Sequence, residues 1–164
     1  MIIRPAVLDD VPAIAAIYAQ AVLTTTATAD EEPPPLAQRE AWLRVHQRDG
    51  YPVFVAEVAE RLVGWSSLSP YHARRAYRFT AEDSVYVAED ARGRGVGRAL
   101  LAPLVAGARS MGLHSVMALV EACNEASLRL HEHFGFARVG LVPQAMFKFE
   151  RWLDLALLQL RLEP

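Results

Sequence analysis

The sequence predicts a single α/β (α+β) domain built on a mixed sheet of about seven strands flanked by helices. Three observations point there. A β-branched and aromatic run, Val85-Tyr86-Val87, passes through Gly93 and Gly95 into a segment of helical period, the strand–turn–helix order of an α/β unit. Residues 52–59 and 62–69 read as two strands separated only by Glu60-Arg61, a hairpin spacing that requires antiparallel pairing as well. The chain has 164 residues and is 52% hydrophobic, long enough for one domain with a sizeable core and too apolar for disorder.

In chain order, residues 2–4 are a short opening strand. Asp9 or Asp10 can cap a first helix and Pro12 is tolerated in its first turn. Ile14, Ile17, Tyr18, Ala21 and Val22 form its apolar stripe. The segment 24–30 is β-branched and small, and continues a helix poorly. Glu31-Glu32-Pro33-Pro34-Pro35 is a stiff connector, too short to separate domains. A second helix spans about 36–48, with Trp42 and Val45 inward, and Asp49-Gly50 ends it. After the hairpin, 70–78 is a loop and 80–88 a strand. The next helix carries Val96, Leu100, Leu104 and Ala108, with Leu101 and Val105 beside them. Gly112 stops it, and Pro103 can kink it. Residues 115–120 form a buried strand. Asn124 opens a last helix that Gly135 ends. Residues 136–142 and 149–162 are the final strands. Trp152 to Leu158 is apolar on both faces, which predicts cover on both sides.

Composition excludes several classes. The net charge of −2 offers no general basic surface to nucleic acid or an anionic membrane. Cys123 is the only cysteine, so neither an internal disulfide nor a thiolate cage is expected. His46, His72, His114 and His133 show no metal spacing with carboxylates, and no metal is expected. Met1 to Ala6 has no basic region before a long apolar run, and no stretch approaches the ~20 apolar residues of a membrane span. A cytoplasmic protein without membrane or nucleic-acid partners is the expectation.

The glycine turn carries the clearest chemistry. Backbone N–H groups at a helix start lack intrahelical partners and the dipole there is positive, so the turn suits an anion. Arg92, Arg94 and Arg98 crowd that start. Cations belong at the other end of a helix, so their placement makes sense if a polyanion binds. A solvated surface turn with Gly93 and Gly95 at positive φ is the plainer alternative. No Gly-Lys-Ser/Thr follows, which excludes a Walker loop. A dinucleotide fold is excluded as well: Arg98 stands where the third glycine should be, and too little chain follows for two βαβαβ halves.

Arg92-x-x-Gly95-x-Gly97 after Val85-Tyr86-Val87 resembles the acetyl-CoA signature of the GNAT superfamily of N-acetyltransferases. Three further blocks in order resemble the phosphinothricin/methionine sulfoximine N-acetyltransferase family: Arg74-x-Ala76-Tyr77-Arg78-x-Thr80-x-Glu82, Asn124-x-Ala126-Ser127-x-x-Leu130-His131, and Lys148-Phe149-x-Arg151-Trp152-Leu153-Asp154. The resemblance implies a mostly antiparallel twisted sheet splayed between its fourth and fifth strands, with acetyl-CoA in the splay and no metal. It implies cofactor contacts from Val85, Tyr86, Val87, Arg92, Gly93, Arg94, Gly95, Val96, Gly97, Arg98, Asn124 and Ser127. It also implies a small amine substrate and a homodimer.

N-acetylation needs an amine freed of its extra proton, a donor for the developing oxyanion and a partner for the departing thiolate. Glu82 is the candidate base. From spacing alone it can equally pair with Arg78 or Arg74; the resemblance favours the base. Arg74, Arg75, Ala76 and Tyr77 are candidates for holding an anionic group of the substrate, since arginine forks onto a carboxylate or phosphinate. A solvated basic loop is the alternative. Asn124 can serve pantetheine amides or simply cap its helix. His131, seven residues on along the same face, is the candidate thiolate partner or a structural histidine. Ala29, Arg75, Gln144, Met146 and Glu150 depart from the family pattern, so the preferred amine is left open. The rival readings are an acetyltransferase for a polyamine or a protein N-terminus, and a non-catalytic acyl-CoA-binding module.

Overall fold

The computed structural model describes residues 1–162. Seven strands form one sheet: β1 (Ile2–Pro5), β2 (Val53–Val58), β3 (Arg61–Pro70), β4 (Thr80–Val87), β5 (Ser115–Glu121), β6 (Ala137–Lys148) and β7 (Arg151–Arg161). Their order across the sheet is β1-β2-β3-β4-β5-β7-β6. Four helices cover it: α1 (Val11–Thr24), α2 (Leu36–Asp49), α3 (Val96–Ser110) and α4 (Glu125–His133).

Every neighbouring pair is antiparallel except β4 and β5. Those two run parallel, and only for Thr80, Ala81 and Glu82 against Ser115, Val116 and Met117. Beyond Glu82 they separate. The expected splay is present at the expected strands.

Strand alternation sorts side chains to two faces. Val63 and Trp65 of β3 and Tyr86 of β4 pack with Ile14, Tyr18 and Val22 of α1 and Leu43 of α2. Leu68 and Ala81 turn the other way, toward Leu101 and Leu104 of α3, Leu128 of α4 and Leu158 of β7. Gly64 allows α3 to lie close to β3. A Cβ there would sit 2.9 Å from the Tyr86 carbonyl oxygen and 3.0 Å from Leu100 Cδ1.

Four local expectations need correction. Val45 of α2 is exposed, and the inward positions are Arg39, Leu43 and His46, an i, i+4, i+7 stripe that a hydrophobicity count overlooks. The β2–β3 turn falls on Ala59 and Glu60, both at positive φ, one residue before Glu60-Arg61; two left-handed residues suit the twist of a tight hairpin. β6 runs on to Lys148 past a register shift between Val142 and Met146, although Pro143 lies within it; proline and a bulge are tolerated on an edge strand. β7 is covered unevenly: Ala156, Leu158 and Leu160 are buried on one face, but Trp152 on that same face is 61% exposed, and on the other face Leu153 is buried while Leu155 and Leu157 are only half-buried.

Gly64→Ala should lower stability by roughly 1–3 kcal/mol through overpacking. Urea unfolding should show this as a lower midpoint at unchanged slope.

Candidate active site

The separation of β4 from β5 exposes a strand edge. β4 stays paired with β3 from Ala81 opposite Pro70 to Val87 opposite Gly64, and on its other side nothing pairs with it after Glu82. Backbone groups alternate sides along a strand, and the Ala88 N–H bonds back to Val63 of β3. Tyr86 therefore turns its backbone to β3, while Val85 and Val87 turn theirs to the open edge, where an extended, amide-bearing ligand can pair as in strand addition. The Val87 carbonyl is the exception, because it already accepts a hydrogen bond from Arg92 Nε at 3.2 Å. Tyr86 is anchored by its ring, 4.9 Å from Trp65 and 5.0 Å from Tyr18.

The open edge leads into the glycine turn. Gly93 and Gly95 adopt φ of 72° and 79°, and Gly95 is the left-handed N-cap of α3. The N–H groups of Val96, Gly97 and Arg98 occupy the first turn, where no helical carbonyl reaches them. Gly97 lets this turn close onto its surroundings: a Cβ would lie 3.2 Å from Leu130 of α4. Arg92, Arg94 and Arg98 are exposed and make no ion pair among the described residues. An unpaired strand edge running into free N–H groups and unpaired arginines fits a ligand with an amide arm and a phosphate end, and acetyl-CoA is one.

Glu82 is the last β4 residue paired with β5. It is half-buried on the α1/α2 face and its carboxylate makes no hydrogen bond among the described residues. Burial, and then the charge of Asp83, push its pKa above the ordinary carboxylate value.

Asp83 points to the opposite face, and there it meets His131. The Asp83 and His131 side chains are 1% and 5% exposed, and Asp83 Oδ2 lies 2.9 Å from His131 Nε2. The other ring nitrogen, Nδ1, lies 2.7 Å from the Ser127 carbonyl oxygen. A carbonyl and a carboxylate oxygen both accept, so the ring satisfies both only when it carries two hydrogens. Burial disfavours that charged form, but the hydrogen bond and charge of Asp83 outweigh it and raise the His131 pKa. His131 thus has no free N–H for a thiolate, and the sheet separates it from Glu82. The second Asp83 oxygen, Oδ1, is buried without a partner. Asn124 caps α4, accepting the Ser127 N–H at 3.1 Å.

Arg74, Arg75, Ala76 and Tyr77 lie together in the exposed β3–β4 loop, which ends at Phe79, three residues before Glu82. The Tyr77 ring packs edge-on against Tyr71 and tilted against His72. Neither arginine has a carboxylate partner among the described residues. The loop stands beside the Glu82 end of β4, open to solvent.

Sequence reasoning missed the cover over the α1/α2 side. Tyr18 Oη donates to Asp30 Oδ2 at 2.7 Å. Lys148 Nζ, at the end of β6, donates to the Thr28 and Asp30 carbonyl oxygens at 2.9 and 2.7 Å. Thr26 donates to Glu121, at the end of β5. These bonds tie the α1–α2 segment across the splayed strand ends. Beneath it, the buried Arg39 guanidinium lies 4.2 Å from the Tyr18 ring centroid and 4.9 Å from that of Trp42. The motif Lys148-Phe149-x-Arg151 was visible in the sequence; its bond to residues 120 positions earlier was not. A separate surface hollow of about 550 Å³, beside Gln20, Arg61 and Glu89, is lined by none of these site residues.

The His131 pKa is raised in the folded state, so the pair's stabilisation is complete below about pH 6.5 and fades as pH rises through the folded value. Thermal melts from pH 6 upward should show this loss, and Asp83→Asn should flatten it. Asp83→Ala, which strands a buried cation, should cost about 3–5 kcal/mol.

Comparison with known proteins agrees with this geometry. The family model described as acetyltransferase (GNAT) family matches residues 15–136. An L-methionine sulfoximine/L-methionine sulfone acetyltransferase of Pseudomonas aeruginosa is 45% identical over 99% of this chain and 95% of its own length. A phosphinothricin N-acetyltransferase of Alcaligenes faecalis is 44% identical over 92% of this chain and 77% of its own. A putative acetyltransferase from Salmonella typhimurium, solved with its cofactor acetyl-CoA, superposes with a TM-score of 0.98 at 40% identity, covering 100% of this chain and 95% of that one.

Proposed function

Because this chain belongs to the GNAT family of acetyltransferases, we propose that it acetylates the α-amine of a small amino-acid-like substrate. Methionine sulfoximine, methionine sulfone and phosphinothricin are the substrate class, in line with the relatives' activities. The observation that carries the reading is Glu82: an unpaired, half-buried carboxylate with a raised pKa where β4 leaves β5.

An ammonium has no lone pair, and Glu82 takes its extra proton. A raised pKa makes the carboxylate a better proton acceptor near neutral pH than an exposed one. Acetyl-CoA supplies the acetyl group as a thioester, which the freed amine attacks. The β4 edge at the Val85 backbone and the Val87 N–H holds the amide arm, and the N–H groups of Val96 to Arg98 with the three arginines hold the phosphates. Arg74 or Arg75, with Tyr77, binds the substrate's anionic group from the loop. His131 serves with Asp83 to fix α4 against β4, and the departing thiolate takes the second proton that the attacking nitrogen sheds as the amide forms.

The exposed apolar side chains of β6 and the start of β7, with Val139, Leu141, Phe147 and Trp152 all about half exposed or more, support a homodimer. A reaction that consumes acetyl-CoA fits a cytoplasmic setting, and no helix of the described residues is long and apolar enough to cross a membrane.

Thiol release from acetyl-CoA should be fast with methionine sulfoximine, methionine sulfone or phosphinothricin, and slow with plain amino acids and a polyamine. Turnover of the polyamine alone would overturn the substrate class. Glu82→Gln should lower kcat about 10²–10⁴-fold with acetyl-CoA affinity intact, and unchanged turnover would remove the base assignment. In the wild type, the acid limb of kcat/KM should lie above pH 4.5, since Glu82 must be ionised to act. Sedimentation should give twice the chain mass, and Trp152→Glu should shift it toward the monomer.

A further inference from the structure

Ser69 of β3 stands opposite Glu82 of β4 in the antiparallel register. Directly opposed residues share a face, with Cβ atoms about 4.5–5.5 Å apart. Both residues are partly exposed, while Leu68 beside them is fully buried. The Ser69 hydroxyl therefore lies beside the carboxylate that receives the substrate's proton.

His46 reaches the same place from α2. Its Nε2 lies 2.9 Å from Ser69 Oγ, and its Nδ1 lies 2.9 Å from the Trp42 carbonyl oxygen. That carbonyl can only accept, so Nδ1 carries a hydrogen. The ring is 6% exposed, with Trp42 and Tyr51 against it at 4.4 and 6.4 Å. Burial lowers its pKa below the ordinary imidazole value, outweighing the Trp42 and Leu68 carbonyls and the nearby Asp49, and the Arg39 charge adds to it. The ring is neutral, so Nε2 bears no hydrogen and accepts. The single hydroxyl hydrogen of Ser69 is then committed to His46, and the oxygen lone pairs are what Ser69 has left to offer.

We propose that Ser69 Oγ is a substrate contact, accepting an N–H of the incoming amine beside Glu82, and that His46 is the positioning residue that fixes the hydroxyl in this acceptor orientation. The inference rests on Glu82 as the base. A primary ammonium has three N–H directions. Glu82 takes the proton along one, Ser69 holds a second, and the nitrogen's orientation is set by two contacts instead of one. No proton passes through Ser69.

The test is steady-state kinetics of Ser69→Ala, Ser69→Thr and His46→Leu, using the panel amine that the wild type turns over fastest, with acetyl-CoA affinity measured separately by calorimetry. Ser69→Ala should lower kcat/KM for the amine about tenfold, the scale of one hydrogen bond to a charged group, and leave acetyl-CoA affinity unchanged. Ser69→Thr, which keeps the hydroxyl, should retain most activity. His46→Leu should shift the amine parameters in the same direction as Ser69→Ala. An unchanged amine kcat/KM in Ser69→Ala would overturn the contact, as would an equal loss of acetyl-CoA affinity, which marks a merely structural role. An inactive Glu82→Gln beside an unaffected Ser69→Ala would overturn only this inference; a fully active Glu82→Gln would overturn the base reading and this inference with it.

Discussion

β4 and β5 share three parallel register pairs and then separate, and the site depends on that separation. Unpaired backbone groups inside a protein cost free energy, so the gap persists only because each strand is held from its other side. β3 pairs with β4 along its length, and β7 pairs with β5 from Ser115 to Glu121. Each half of the sheet is paired along its own side, and the opening between them is built into the strand order. One open edge runs from Val85 to the N–H groups at the start of α3, so an edge of unpaired backbone amides adjoins a turn of unpaired N–H groups.

Strand alternation gives the gap two chemically different walls. Glu82 and Asp83 are neighbours in the chain, yet they face opposite sides of the sheet. Glu82 faces the α1/α2 side, half-buried and unpaired. Asp83 faces α4 and is locked to His131. The charge of Asp83 helps raise the Glu82 pKa, and the His131 imidazolium limits how much negative charge the gap accumulates. A buried pair of this kind is weak evidence for added stability, since desolvation offsets much of the attraction. Its clear consequence is positional, because α4 cannot shift without breaking it.

The α1/α2 wall is more polar than its sequence suggests. α2 turns Arg39 and His46 inward on the same stripe as Leu43. Arg39 is accommodated by aromatic faces, which attract a desolvated cation. His46 is accommodated by one hydrogen bond at each nitrogen. A periodicity argument that counts only apolar residues placed Val45 inside, where the structure has it 43% exposed. Lys148 follows the same logic at the end of β6, where two backbone oxygens of the α1–α2 segment receive its buried amine.

The sequence by itself determined the elements and most of their order. The hairpin spacing, the glycine turn and the helical stripe of Val96, Leu100 and Leu104 are local patterns, and local backbone preferences produce them wherever they sit. The same locality made Glu82 and the glycine turn legible as candidate chemistry. Only the tertiary structure decided which groups meet. Asp83 became the partner of His131, Ser69 the neighbour of Glu82, and Lys148 the anchor of residues 28–30, each across tens of residues or more. Those pairings follow from strand register and helix docking, where a shift of one residue would turn every side chain to the other face, and no local pattern records that choice.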